Sequence, residues 1–339
     1  MRSAPEGIDA DEVVDALGRH WNLEVDRLDY FPEGGGAYHW VAKTRGAERC
    51  FVTGDDLDTK PWLGADGDSV FAGLLAAYRT AMDLRREAGL GFVVAPLPAL
   101  SGEPAIRLGP RHSLALFPFV AGSPGRWGEP FGPEDTTGLV GLLAELHRST
   151  SVAAGGEARR RVGVPGREQL EEALSDLDRP WNGGPFSEPT RRQLAAHAEV
   201  VASWLAAFDE LRSRLARSGA APVVTHGEPH PGNLIRTAEG FALVDWDTVA
   251  LDRPERDLWM LDDGTGAAWV EYRELTGVTV NPSAVALYRL GWKLTDLVLF
   301  TAQLRASHRR NSDTERAWTA LRRTLEPEGP SPYGEAAIW

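Results

Sequence analysis

The chain has 339 residues, 42% hydrophobic and 25% charged, which suffices for a sizeable core and excludes global disorder. With 36 basic against 49 acidic side chains the formal charge is −13, which argues against a nucleic-acid partner and suits either a cationic ligand or plain solubility. The single cysteine, Cys50, excludes an internal disulfide framework, and the N-terminus lacks the apolar run of a secretion signal, so a cytoplasmic location is expected.

Residues 9–20 (DADEVVDALGRH) open with acids and space Val13, Val14 and Leu17 for an amphipathic helix. A strand, the glycine triplet Gly34-Gly35-Gly36 and a hairpin turning at Arg45-Gly46-Ala47 follow, with Lys43 expected near Cys50 and Thr53 opposite Trp40. Residues 69–88 read as a helix, and further strands are expected near Phe92–Val94 and Leu114–Phe117. The proline- and glycine-rich stretch 117–125 (FPFVAGSPG) separates this β-rich part from a helical remainder, with helices over 137–149 and 190–217 and short strands at 222–225 and 241–244. The most apolar helical stretch, Ala284 to Leu304, carries Arg289, Lys293 and Asp296, so it reads as a buried helix and no membrane partner is expected. Asp296 is expected to pair locally with Lys293, the tail 327–339 to be loosely held, and the run Arg159–Arg161 to be a solvated loop. Most of the 12 tryptophans, among them Trp246, Trp259, Trp292 and Trp318, are expected in the core.

The chemistry concentrates in Val223–Trp259, VVTHGEPHPGNLIRTAEGFALVDWDTVALDRPERDLW. His226, Glu228 and His230 have the spacing of a zinc-binding helix, but Gly227, Pro229, Pro231 and Gly232 prevent a helix there. Phosphoryl transfer accounts for the same residues better. It needs a carboxylate to orient the attacking hydroxyl and hard oxygen ligands for Mg²⁺. A carboxylate, an asparagine five residues on and an aspartate closing the next strand supply them.

These motifs make the chain similar to the aminoglycoside phosphotransferase and choline kinase-like family, and especially to its spectinomycin phosphotransferase type. HGEPHPGN resembles the family's catalytic loop, LVDWD its metal-binding segment and PERDLW its downstream aspartate motif. The resemblance implies a kinase that moves phosphate from ATP or GTP to a hydroxyl of a small, possibly cationic molecule, with an antibiotic or related metabolite leading. It implies Glu228 as general base, Asn233 and Asp245 as Mg²⁺ ligands with Asp247 as runner-up, and Asp257 as a brace for the catalytic loop. Gly34, Gly35 and Gly36 match the phosphate-covering turn, and LFPFVAG, with Leu116, Phe117 and Phe119, matches the interlobe hinge whose backbone faces the base. His147 matches a packed structural histidine.

Two departures stand out. The family's catalytic aspartate is here Glu228, whose extra methylene shifts the carboxylate by roughly 1 Å. The family's third-strand lysine is here Thr53, and the helix that follows has no glutamate to pair with one. Lys60, just beyond the strand, is a candidate to fold back towards the phosphates. The implied fold is α+β and bilobal, with a small antiparallel-sheet lobe over 1–118 and a mainly helical lobe over 119–339. Asp262 and Asp263 are candidates to meet a cationic acceptor, or else a helix-end charge pair. A catalytically degraded scaffold, a kinase acting on a peptide hydroxyl and a zinc hydrolase are the alternatives.

Overall fold

The computed structural model describes residues 1–326 apart from 4, 6, 127, 155–162 and 218. The C-terminal tail 327–339 and the run Arg159–Arg161 therefore lie outside the described residues. The fold is α+β, with an antiparallel sheet in the first third and a helical remainder.

The first helix, α1 (Ala10–Trp21), starts at Asp9, whose side chain accepts from the Asp11 N–H, and stops at Asn22 in the left-handed region. Then come β1 (Val25–Tyr30), β2 (Ala37–Thr44), β3 (Arg49–Asp56), α2 (Gly67–Arg86), β4 (Ile106–Leu108) and β5 (His112–Pro118). The strands form one antiparallel sheet in the order β1-β2-β3-β5-β4. Alternate residues of β3 face opposite sides. Val52 packs with Val13, Leu17 and Trp40 beneath α1, whereas Phe51 meets Leu74, Tyr78 and Phe117 beside α2.

The β2–β3 hairpin is one residue out of the expected register. Thr53 lies opposite His39 and Lys43 opposite Arg49. The turn is responsible: Ala47 takes φ 63°, and the Thr44 N–H donates to the Glu48 carbonyl, so one more residue belongs to the loop. Residues 92–94 also differ from expectation. They form no strand of their own but run beside a later strand, with Val93 bridged to Leu243.

Beyond β5 lie β6 (Ser123–Pro124), α3 (Pro133–Arg148), α4 (Thr150–Ala154), α5 (Arg167–Ser175) and α6 (Ser187–Ala216). They are followed by β7 (Val223–Thr225), β8 (Leu234–Thr237), β9 (Gly240–Leu243) and β10 (Ala250–Asp252). The helices α7 (Glu255–Leu258), α8 (Ala267–Thr276), α9 (Pro282–Arg305) and α10 (Ser312–Leu325) complete the described chain. The strand β8 was not anticipated; it pairs with β9 to form a hairpin on which the candidate loop is mounted. One core joins α3, β7, Trp246 and Trp259, and a second joins α5, α6, α9 and α10. Trp246 and Trp259 are buried as expected, and Trp292 and Trp318 pack against the edges of these cores. Among the described residues no helix is long and apolar enough to cross a membrane.

Candidate active site

The loop after β7 is held by its own neighbourhood. Asp257, on α7, accepts from the His226 N–H at 2.9 Å and the Gly227 N–H at 2.6 Å, and it contacts His147 Nε2 at 3.0 Å. His147 in turn meets the Tyr272 hydroxyl at 2.7 Å. Burial alone would raise the Asp257 pKa, but the His147 hydrogen bond and nearby positive charge hold it below the usual carboxylate range. Gly227 is needed as glycine: its φ is +99°, and a Cβ there would overlap the Arg256 guanidinium. That guanidinium donates to Thr225 Oγ1 at 2.7 Å and to the Thr248 carbonyl at 2.8 Å.

The ring of His226 does the same from inside. Its Nε2 lies 2.9 Å from the Val244 carbonyl, so it carries the proton, and Nδ1 accepts from the Glu228 N–H at 3.2 Å. Both nitrogens are thereby used within the loop, which removes His226 as a metal ligand and with it the zinc reading. The Glu228 carbonyl accepts from the His230 N–H at 2.8 Å and from Asn233 Nδ2 at 3.0 Å. The Asn233 carbonyl accepts from the Val244 N–H at 3.0 Å. Asp245 comes next and holds a left-handed φ of 66°, tolerated by aspartate but sparsely populated. The Glu228 backbone, Asn233 and the Val244 N–H are thus linked by hydrogen bonds, with Asp245 the next residue along the chain.

Asp245 is open to solvent. Desolvation, then the Asp247 carboxylate, push its pKa well above the usual range. Because the side chain is open, the neighbouring negative charges are the firmer part of that cause, and they favour an added cation. The Asn233 amide, having given its NH2 to Glu228, has its oxygen left to offer. Among the described residues no three histidine, cysteine or carboxylate side chains converge as a cage. One carboxylate and one amide oxygen still suit Mg²⁺, which usually completes its shell with water and substrate phosphates.

On the sheet side, Gly34 and Gly36 have φ of 87° and 77° and belong to the exposed turn between β1 and β2. A Cβ on Gly34 would press on the His39 ring, while Gly35 and Gly36 are open. Thr53 is buried, with its hydroxyl 3.3 Å from His39 Nδ1. Lys60 does fold back: its Nζ is 3.0 Å from Asp55 Oδ1 and 2.6 Å from Asp247 Oδ2, with all three side chains at most 4% exposed. Burial alone would lower the lysine's pKa, and the two carboxylates outweigh it. At the hinge, Leu116 points into the core beneath α1 and its carbonyl is taken by the Leu97 N–H at 2.7 Å. Phe117 packs edge-on against Tyr78, and Phe119 lies under the Arg49 guanidinium.

Of the two alternatives for Asp262 and Asp263, the contacts are those of the charge pair: Asp262 is engaged by Arg289 at 2.7 Å in a buried pair, and Asp263 accepts from Thr265. Lys293 lies over the Trp204 ring at 3.7 Å. The Asp296 carboxyl responds to burial and then to the Glu228 charge, which push its pKa to about 7 against the effect of a hydrogen bond from Trp292. His39, Asp55 and Trp292 were not anticipated as site residues. Asp55 was within reach, since it sits two residues beyond Thr53 and so on the same face of β3.

An α+β fold with an antiparallel sheet and a helical remainder, carrying a braced polar loop, an asparagine and a strand-terminal aspartate, is that of a protein-kinase-like phosphotransferase. The sequence signature of the phosphotransferase enzyme family matches residues 68–288, and the chain belongs to that family. It is 28% identical to Protein StrN of Streptomyces griseus over 290 residues, 80% of this chain and 82% of that protein. A spectinomycin phosphotransferase solved with ADP and spectinomycin superposes with a TM-score of 0.72 at 14% identity, covering 95% of this chain and 96% of its own. Choline kinase LicA from Streptococcus pneumoniae gives 0.57 at 14%, covering 93% and 98%. At these identities the likeness to the solved structures is one of fold.

Proposed function

We propose that this phosphotransferase moves the γ-phosphoryl group of ATP or GTP to a hydroxyl of a small molecule, an antibiotic or related metabolite, in the cytoplasm. The observation that carries the reading is the hydrogen-bonded loop, braced by Asp257, that links the Glu228 backbone and Asn233 to Val244, the residue before Asp245. Residues 1–118 would hold the nucleotide, with Gly34, Gly35 and Gly36 admitting the phosphates to backbone N–H groups and the backbone of 116–119 beside the base. Residues 119–339 would hold the acceptor.

Glu228 orients the acceptor hydroxyl and takes its proton as the new oxygen–phosphorus bond forms and the bond to the β-phosphate oxygen breaks. Asn233 and Asp245 hold Mg²⁺, which when bound neutralises charge on the phosphates. Asp296 and Trp292 form the wall next to Glu228, so the acceptor meets an acidic and aromatic surface there.

A second reading, a non-catalytic nucleotide-binding scaffold, is favoured by Thr53 at the lysine position. A thermal-shift titration with MgATP and MgGTP on wild type and Asp245→Asn tests both. At 100 times the dissociation constant the shift corresponds to roughly 2.7 kcal/mol. A magnesium-dependent shift lost in Asp245→Asn supports the kinase, and turnover with an acceptor distinguishes it from the scaffold. No shift at millimolar nucleotide sinks both readings.

A further inference from the structure

Threonine stands at 53 where the family resemblance expects a strand lysine, and the fold brings the Lys60 ammonium back to β3 at Asp55. Thr53 and Asp55 share a face of β3, and Lys60 returns to that face from the tight turn Leu57–Thr59. Its ammonium is shared between two carboxylates that are not equivalent. Asp55 is fixed within the sheet side of the cleft: besides Lys60 at 3.0 Å it accepts from Tyr78 of α2 at 3.4 Å and Ser113 of β5 at 3.3 Å. Asp247 approaches from the other lobe, in the turn that follows Asp245, and meets Lys60 at 2.6 Å. The buried triad sets two carboxyl groups against one ammonium, and burial pushes the Asp55 pKa above its ordinary value.

We propose that Lys60 is the cation that grips the nucleotide phosphates, that Asp55 is its positioning residue, and that Asp247 is the partner the phosphates displace. This rests on the nucleotide-dependent reading above and deepens it. Asp55, with three donors, stays put and aims the ammonium, as the missing helix glutamate would have done. Asp247 competes with phosphate for Lys60, and nucleotide binding breaks the Lys60–Asp247 link between the lobes. The exchange is electrostatically feasible because a phosphate group offers more negative charge and more acceptor oxygens than the carboxylate it replaces.

The two carboxylates are therefore expected to act in opposite directions, which a purely structural triad would not do. The measurement is calorimetric titration of ADP and of adenosine, both with EDTA so that no metal intervenes, on wild type and three variants. Lys60→Met is expected to weaken ADP roughly tenfold or more while leaving adenosine binding unchanged. Asp55→Asn is expected to weaken ADP several-fold. Asp247→Asn is expected to tighten ADP several-fold. Unchanged ADP affinity in a Lys60→Met protein that still binds adenosine overturns the proposal, as does weaker ADP binding by Asp247→Asn. Should Lys60→Met fail to fold, the opposed signs of Asp55→Asn and Asp247→Asn decide, since each keeps Lys60 and one of its carboxylates. Wild type that binds neither ADP nor adenosine would sink the nucleotide reading itself, an outcome distinct from equal binding across the variants.

Discussion

The two sides of the cleft are built by different means. On the helical side, the loop from His226 to Asn233 is fixed by contacts within 226–257 together with His147, most of them to backbone atoms. On the sheet side, the buried cation Lys60 depends on Asp247, 187 residues away, and on Asp55 held by two further elements. A loop braced mostly through its own backbone tolerates side-chain change at its tip better than one held by side chains. That is why glutamate can stand at 228. On the proposal above, a cation held by side chains from elements far apart can migrate along the chain as long as its ammonium arrives at the same point, so that lysine at 60 would serve with threonine at 53.

If the brace is the source of the loop's rigidity, breaking it should have the largest effect. Asp257→Ala leaves two backbone N–H groups and His147 without their buried acceptor, and should cost about 3–5 kcal/mol in denaturant unfolding. A loss under about 1 kcal/mol would mean the loop is supported elsewhere. Changing the tip should do the reverse. Glu228→Gln should lower kcat by roughly 10²–10³ while leaving stability and nucleotide affinity nearly unchanged. Glu228→Asp, which restores the family's residue, should still lose roughly tenfold, because the loop and acceptor are set for the longer side chain. A gain in kcat for Glu228→Asp would show that the loop geometry is that of the aspartate enzymes.

This contrast also explains what the amino-acid sequence discloses. The helical-side site is legible because its parts lie within one stretch, with glycine at 227 and prolines at 229 and 231 forcing a loop and alternating apolar residues marking the strands. The overall α+β division is legible from the same periodicities. The hairpin register is not, since it turned on a single left-handed residue, Ala47, for which alanine gives no signal. The partners of Lys60 are not legible either, because they are set by packing between elements far apart in the chain.

The loop's dependence on neutral histidine gives a smaller, pH-dependent effect. Burial, only partly offset by Asp257, lowers the His226 pKa to about 4 from an ordinary 6.5, and burial lowers that of His230 to about 3. The unfolded chain binds these protons below about pH 6.5 and the native state does not until about pH 4 or lower. The stability each contributes is complete above pH 6.5 and is lost as pH falls through that window. For His226 alone the loss approaches about 3 kcal/mol by pH 4. Unfolding measured between pH 7 and pH 4.5 should be accompanied by uptake of more than one proton. Uptake near zero would mean that His226 is already charged, and the hydrogen bond to its Nδ1 would have to be reassigned.

The smallest effect is expected at a buried carboxyl that responds to the charge of Glu228. Asp296 has its pKa pushed to about 7 by burial and by Glu228, so at pH 8 it is ionised at a cost to the fold. A carboxyl whose folded pKa exceeds its unfolded value loses stability as pH rises from about 4 to about 7. Asp296→Asn removes that penalty and should stabilise the protein by about 1–2 kcal/mol at pH 8, with no gain at pH 4, after allowance for partial exposure. The same change should weaken a cationic acceptor more than a neutral one, because the wall beside Glu228 loses a negative charge. Thermal melts at the two pH values check the first part. Equal melting shifts at pH 4 and pH 8 would show that the gain comes from repacking against Trp292, and Asp296 would then belong to the scaffold and not to the acceptor wall.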